Sequence, residues 1–366
     1  MANKKDIIIV GGGIVGVSTA YYLALRGFTS TIVEKTGIAS SASGKAGGFL
    51  ARGWGSGTTK AIHEEGFKVH EQLATDLNIQ SFRYLKTVSV AKSRRSNNNG
   101  EGNSLLDPEA TKVSLMDPST AQVTPLELVR KMLEKAQSLG VTVKKGKVVG
   151  LQREENGKYS AVKMENGEKV KGDVIVLAMG AWGVETEDWF DSFRVPMVGI
   201  ASSSMIVKAT ASITDAPACF CSEDSNGCHL EMYPRPDNTV YVCGFGGSPH
   251  LKKEEVLKLN PDEIKPNQNR VLKAIDSFRH LSKLKSISVS ESSNEADLTL
   301  QCCLRPCTSD SLPMIGKLPG VDIYIAHGHN CWGILWGPIT GKVMSELILD
   351  GTTSLDLKSF DPMRFS

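Results

Sequence analysis

Residues Asp6 to Lys35, DIIIVGGGIVGVSTAYYLALRGFTSTIVEK, leave few folds open. The apolar run Ile7 to Val10 reads as a buried strand, about Ile14 to Leu25 as a helix, and Thr31 to Glu34 as a second strand. At the junction of strand and helix, Gly11, Gly13 and Gly16 form G-x-G-x-x-G. The first permits a tight turn, the second lets a pyrophosphate approach the backbone, and the third lets the helix pack closely on the sheet. Phosphates there meet unpaired N–H groups at a helix N-terminus. Glu34 ends the second strand, where a carboxylate accepts from the ribose hydroxyls of an adenosine. Strand, turn, helix, strand and acid follow the order of a dinucleotide-binding βαβ unit. The unit serves NAD and FAD alike, because both present an ADP half.

The unit takes up only the start of 366 residues, a length that predicts two structural units. With 42 Lys and Arg against 40 Asp and Glu, the net charge of +2 gives no electrostatic reason for a nucleic-acid partner. No apolar run has the length of a membrane-spanning helix. Eight cysteines in so long a chain are too few for a disulfide scaffold, and several sit in apolar runs as small hydrophobes. The short polar start before Ile7 has no room for a signal peptide, and the ending Met363-Arg364-Phe365-Ser366 is not a peroxisomal address. A cytoplasmic location is the expectation.

Three later segments also carry glycine turns. Ala39 to Gly48 (ASSASGKAGG) follows the second strand and suits close approach of a pyrophosphate or flavin edge. Gly172 to Gly183 (GDVIVLAMGAWG) contains a buried-type strand, Val174 to Ala178, that ends in a turn. In the last, Ile323 to Ala326 forms a strand that passes into HGHNCWGILWGPITG and then an apolar helix of about Gly341 to Leu349.

Taken together, these motifs resemble the FAD-dependent D-amino-acid oxidase, glycine oxidase and sarcosine oxidase family. Leu304-Arg305-Pro306-x-x-x-Asp310-x-x-Pro313-Met314-Ile315-Gly316 is similar to that family's signature, with Ser311 where the signature has glycine. Gly328-His329-x-x-Trp332-Gly333 and Gly337-Pro338-x-x-Gly341 resemble its C-terminal flavin loop and helix start, and Thr124 to Gly140 resembles the helix before an adenine-side strand of about Thr142 to Leu151.

The resemblance implies an α/β fold: a Rossmann-type FAD-binding domain of the GR2 kind (1–60, 124–186 and 297–366), interleaved with an α+β substrate domain on an antiparallel sheet (61–123 and 187–296). Cys228 to Tyr233 and Thr239 to Phe245, joined by the turn Pro234 to Asn238, agree with it as a β-hairpin. Ser93 to Ser104 reads as a polar surface loop.

By the same resemblance FAD is held by Gly11, Gly13, Ile14, Val15, Gly16, Glu34, Lys35, Ser40, Ser41, Ser43, Gly44, Lys45, Ala46, Gly47 and Gly48. Val148, Ala178, Gly180, Trp182, Cys303, Arg305, Gly328, His329, Asn330, Trp332, Gly333 and Ile334 complete the set. Arg305 and His329 are the candidate catalytic residues. Arg305 precedes a proline that biases it to extended backbone, and its fork suits a substrate carboxylate; an internal salt bridge to Asp310 is the alternative. His329 either serves the flavin or only packs. Backbone N–H groups of its loop, and of the helix after Pro338, suit the charge of a reduced flavin.

Cys303 stands where the sarcosine oxidases carry a thioether to the flavin, though a buried free thiol fits as well, and Cys302 beside it faces the other way along a strand. Lys45, Arg52 and Trp54 face either the flavin or the surface. His327-x-His329, like Cys219-x-Cys221 with Cys228, lacks further ligands at metal spacing, so no metal is expected. The expected reaction is oxidation of a small amine or amino acid to an imine that hydrolyses, with O2 or another acceptor taking the electrons. An NAD-dependent dehydrogenase, or a FAD-binding scaffold or trafficking factor without turnover, remains open.

Overall fold

The computed structural model describes residues 5–92, 104–284 and 298–366. The expected loop Ser93 to Ser104 therefore lies outside the described residues except for its last position. Among the described residues the strands form three sheets. The first contains β1 (Ile7–Val10), β2 (Ser30–Glu34), β6 (Thr142–Lys145), β10 (Val174–Leu177), β17 (Met314–Lys317) and β18 (Ile323–His327), in the order β17-β18-β10-β1-β2-β6. All neighbours are parallel except β17 and β18. Fully buried Ile7–Val10 and Val174–Leu177 are the continuous apolar strands such a sheet requires.

The second sheet runs β15 (His250–Leu251), β11 (Met197–Lys208), β14 (Thr239–Cys243), β13 (Glu231–Pro234), β12 (Ala218–Cys221), β4 (Arg83–Lys92), β5 (Thr111–Gln122), β3 (Phe49–Leu50), with β16 (Leu298–Thr308) on the other side of β11. It is antiparallel apart from the β12–β4 pair. The hairpin expected around Pro234 to Asn238 is there: Glu231 pairs with Cys243 and Tyr233 with Tyr241, and Asn238 takes the turn with φ of 63°. Strand β16, grouped by sequence with the nucleotide-binding segments, pairs with β11 from Leu298 to Thr308.

The third sheet, β7 (Val148–Arg153), β8 (Tyr159–Met164) and β9 (Lys169–Lys171), corrects one expectation. Thr142 to Leu151 is two strands, not one. Gly146 breaks it with φ of 157°, and its N–H donates to the Glu34 carbonyl at 2.8 Å, turning the chain out of the parallel sheet.

The helices are α1 (Ile14–Leu25), α2 (Ala42–Lys45), α3 (Lys60–Asp76), α4 (Pro125–Ser138), α5 (Lys253–Val256), α6 (Gln268–Leu281) and α7 (Gly333–Asp350). The last departs from the reading of about Gly341 to Leu349: it begins eight residues sooner and runs through Pro338. Proline removes the N–H that would bond the Ile334 carbonyl. Buried His70 of α3 donates its Nε2–H to that carbonyl instead, at 2.8 Å. Gly337 and Gly341 consequently lie within the helix, against α1. A Cβ on Gly341 would stand 2.4 Å from Ser18, and one on Gly337 2.7 Å from Ile14.

Candidate functional site

The C-terminal ends of β1, β2, β10 and β18 face one side of the antiparallel sheet across a cavity of about 890 Å³. Ligands collect at such an edge in open parallel sheets. Gly11 opens the turn after β1. Its φ is 110°, and a Cβ there would stand 2.3 Å from the Ala178 carbonyl oxygen, so only glycine fits. Gly13, Ile14 and Val15 bring the N-terminus of α1 to the wall, with the Ile14 N–H donating to Ser43 Oγ at 2.9 Å. Glu34 turns back on this loop and accepts from the N–H of Gly12 at 2.6 Å and of Thr36 at 2.8 Å.

Lys35, Ser40, Ser41, Ser43, Ala46, Gly47, Gly48, Val148, Ala178, Gly180 and Trp182 continue the lining. Cys303, Arg305, His329, Asn330, Trp332, Gly333 and Ile334 close the far end. The N-termini of two long helices, α1 and α7, therefore meet in one cavity, each presenting the positive end of its dipole.

Four of the sequence-derived residues do not line it. Gly16 faces the sheet, where a Cβ would stand 2.0 Å from the Gly11 carbonyl oxygen; Gly44 is closed off by the Ala39 carbonyl at 2.2 Å, and Gly328 by Thr308 at 2.7 Å. These glycines serve close packing. Lys45 points away, its Nζ donating to the carbonyls of Pro261 and Cys302 at 3.0 Å each. Arg52, read as a possible flavin neighbour, donates from Nη2 to both carboxylate oxygens of Glu71 at 2.8 Å and lies over Phe67. Trp54 does reach the wall, held by Asp117 at 2.9 Å.

At the far end, Arg305 is half-buried and its Nε is shielded without a hydrogen-bond partner. Asp310 is taken by Arg364, through Nε–Oδ2 at 2.8 Å and Nη2–Oδ1 at 3.1 Å, which removes the internal pair considered from sequence. Among the described residues Arg305 makes no ion pair. His329 is buried, its Nε2 bonded with Thr340 Oγ1 at 3.0 Å; burial, and next the neighbouring His327, push its pKa down to about 3. It is thus a neutral ring at physiological pH. Burial pushes the Cys303 thiol up to about 12. Cys302 belongs to the core beneath, as strand alternation requires.

The residues present fit an extended dinucleotide. Gly11 and Gly13 leave a cradle beside the α1 N-terminus, and Ser41 Oγ is buried there without a partner. Beyond the glycine turns the wall becomes aromatic, with Phe49 stacked on Tyr233 at 5.3 Å and Tyr233 on Tyr241 at 6.0 Å. Sequence reading missed this wall, including Phe220, Glu231, Tyr233, Tyr241 and Cys243. Its trace was the alternation in the hairpin, where Glu231, Tyr233, Tyr241 and Cys243 share one face.

A family model described as FAD dependent oxidoreductase, DAO, matches residues 6–347. The chain belongs to this family of FAD-dependent oxidoreductases. A putative oxidoreductase of Schizosaccharomyces pombe is 28% identical to this DAO-family chain, covering 99% of each. Glycine oxidase from Geobacillus kaustophilus has the same fold, with a TM-score of 0.81 at 19% identity over 99% of both chains. Iminodiacetate oxidase from Chelativorans sp. BNC1 gives 0.78 at 17% identity, over 97% of this chain and 98% of that one. Among the described residues no group of three or more His, Cys, Asp or Glu is arranged to hold a metal, and no helix is long and apolar enough to cross a membrane.

Proposed function

We propose that this chain oxidises a small amine or amino acid of the sarcosine, glycine or D-amino-acid type, with FAD in the cavity. The segments 1–60, 124–186 and 297–366 hold the cofactor in this reading, and 61–123 with 187–296 cover it and shape the substrate space. The observation that carries the reading is Arg305, a guanidinium at the far end of the cavity whose Nε is buried without a partner. Such a group needs an anion, and its fork matches a carboxylate in two parallel bonds. Glycine oxidase, whose fold the chain shares, is named for an amino acid.

Bound FAD supplies the acceptor for the substrate α-hydrogen and its electrons, leaving an imine for hydrolysis. The chain's part is to hold the α-carbon by its carboxylate at Arg305, to exclude water with the aromatic wall, and to place the N-terminus of α7 where negative charge develops. His329, neutral and bonded to Thr340, holds the loop before α7 and moves no proton. FAD is non-covalent in this reading: the protonated Cys303 thiol is a poor nucleophile.

The test is anaerobic reduction of the yellow holoprotein by a panel of amines, followed by admission of O2 to distinguish oxidase from dehydrogenase. Arg305→Ala removes charge-assisted bonds of about 1.5–3 kcal/mol each. Reduction by an amino acid is expected to fall by one to several orders of magnitude, and reduction by its decarboxylated amine to change little. An equal loss for both compounds would make Arg305 structural. Acid precipitation is expected to release all of the flavin to the supernatant; yellow colour in the pellet refutes the non-covalent assignment.

A further inference from the structure

The face of the antiparallel sheet that borders the cavity carries a second charge. Glu231 on β13 pairs with Cys243 on β14, and Arg305 on β16 pairs with Ile200 on β11; all four side chains line the cavity. The strands lie in the order β13-β14-β11-β16. Glu231 accepts from the Tyr233 hydroxyl and the Cys243 thiol through Oε2, and no cation pairs with it among the described residues. Arg305 is likewise without a carboxylate. One cavity therefore holds an anion and a cation that do not neutralise each other. Both act on the same thiols: burial raises Cys243 and Cys331, Glu231 raises them further, and Arg305 opposes it.

We propose that Glu231 determines specificity by reading a second, cationic group of the substrate, an ammonium or guanidinium remote from the reacting amine, while Arg305 holds the carboxylate. This rests on the amine-oxidation reading of the same site and adds the substrate class, a basic amino acid or a similar zwitterion. Two arguments exclude the reacting amine as the partner of Glu231. Glu231 is level with Gln301 on β16, four residues from Arg305, so about 14 Å across the strands and about 13 Å along them separate the backbone positions that carry the two charges, whereas the carboxylate and amine of an α-amino acid share one carbon. A carboxylate beside the reacting nitrogen would also hold it protonated, and a protonated amine has no lone pair to assist loss of the α-hydrogen. The surroundings suit a cation. Glu231 is half-buried beside the stacked rings of Phe49, Tyr233 and Tyr241, and a carboxylate partly withdrawn from water gains most from a partner that arrives with its own charge.

The test uses holoprotein with binding read separately from turnover, and two probes that lack an α-amino group, 5-aminopentanoate and pentanoate, which share a carboxylate and chain length and differ in the terminal ammonium. Binding is read from the perturbation of flavin absorbance and from calorimetry. Wild type is expected to prefer 5-aminopentanoate on the order of tenfold or more. Glu231→Gln is expected to erase the preference and leave pentanoate affinity within a few-fold, and Glu231→Asp to retain part of it. Flavin content and melting temperature report whether each variant is folded. Equal binding of the two probes by wild type overturns the proposal, as does a preference that survives in folded Glu231→Gln. Because the probes need no turnover, the two readings fail separately. A protein that prefers the ammonium probe but is reduced by no amine sinks the oxidation reading; one reduced by simple amino acids without the preference sinks only this proposal.

Discussion

Gly13 and Gly16 lie three residues apart in one motif and serve different ends. Gly13 borders the cavity, and a Cβ there would come within 3.0 Å of Ser43 Oγ, a side chain able to shift; Gly16 abuts the backbone carbonyl of Gly11 and cannot accept a Cβ without moving the sheet. The spacing of the motif is visible in sequence, but the split between ligand space and packing is not. Ser311 is a residue-scale departure of another kind. It stands where the resembled signature has glycine, and it takes φ of 63° in the turn whose N–H bonds the Thr308 carbonyl at 3.1 Å. That backbone region costs a residue with a Cβ about 1 kcal/mol relative to glycine. Ser311→Gly is therefore expected to raise stability in thermal or urea unfolding by roughly that amount, with flavin content unchanged. A loss of stability would mean that the serine side chain contributes more than its backbone costs.

At the scale of elements, α7 shows how a distant partner overrides a local rule. Proline in a helix interior predicts a break, and the helix read from sequence, about Gly341 to Leu349, lies wholly after Pro338. The break does not occur because α3 supplies a donor: His70 bonds the Ile334 carbonyl, the acceptor that residue 338 would otherwise serve. His70→Leu leaves this carbonyl unsatisfied in a buried place and is expected to cost about 1–3 kcal/mol in urea unfolding. Pro338→Ala restores an N–H within the helix, so it should recover much of that loss in the double variant while changing the wild-type background less. Additive effects of the two substitutions would show that the carbonyl is not what couples them. The same helix places Gly333 and Ile334 at the cavity wall, so this hydrogen bond also helps hold the α7 N-terminus in place.

Over the whole molecule, four histidines, His63, His70, His327 and His329, are buried, and burial lowers the pKa of each below its ordinary value. Burial lowers His70 and His327 to about 4 and, with His327 adding to it, lowers His329 to about 3. Each folded-state value lies below the unfolded value near 6.5, so the unfolded chain binds protons first as pH falls. Their effect on stability is absent above neutral pH, sets in as pH drops through about 6.5, and accumulates down to the folded-state values, at up to about 1.4 kcal/mol per pH unit for each ring. The melting temperature is expected to decline between pH 6.5 and 5, above the range in which most carboxylates titrate. A flat profile over that interval would show that these rings are protonated in the folded protein.

Much of this was legible in the sequence wherever the physical cause is local. The apolar strand, the three-glycine turn and the helix from Ile14 to Leu25 follow from the side chains and backbone freedom of neighbouring residues, and the structure has them at the expected positions. The family signature around Arg305 was visible for the same reason. Tertiary structure decided what depends on partners far along the chain. Lys45 turns from the cavity because carbonyls of Pro261 and Cys302 capture its ammonium, α7 continues through Pro338 because α3 lends it a donor, and Thr142 to Leu151 divides because Gly146 bonds back to β2. The aromatic and charged wall belongs here as well. Alternation shows that Glu231 and Tyr233 share a face, but which face meets the cavity depends on the pairing of β13, β14, β11 and β16, strands drawn from residues 197 to 308. Periodicity is set over a few residues, whereas register against a distant strand is set by the packing of the whole sheet.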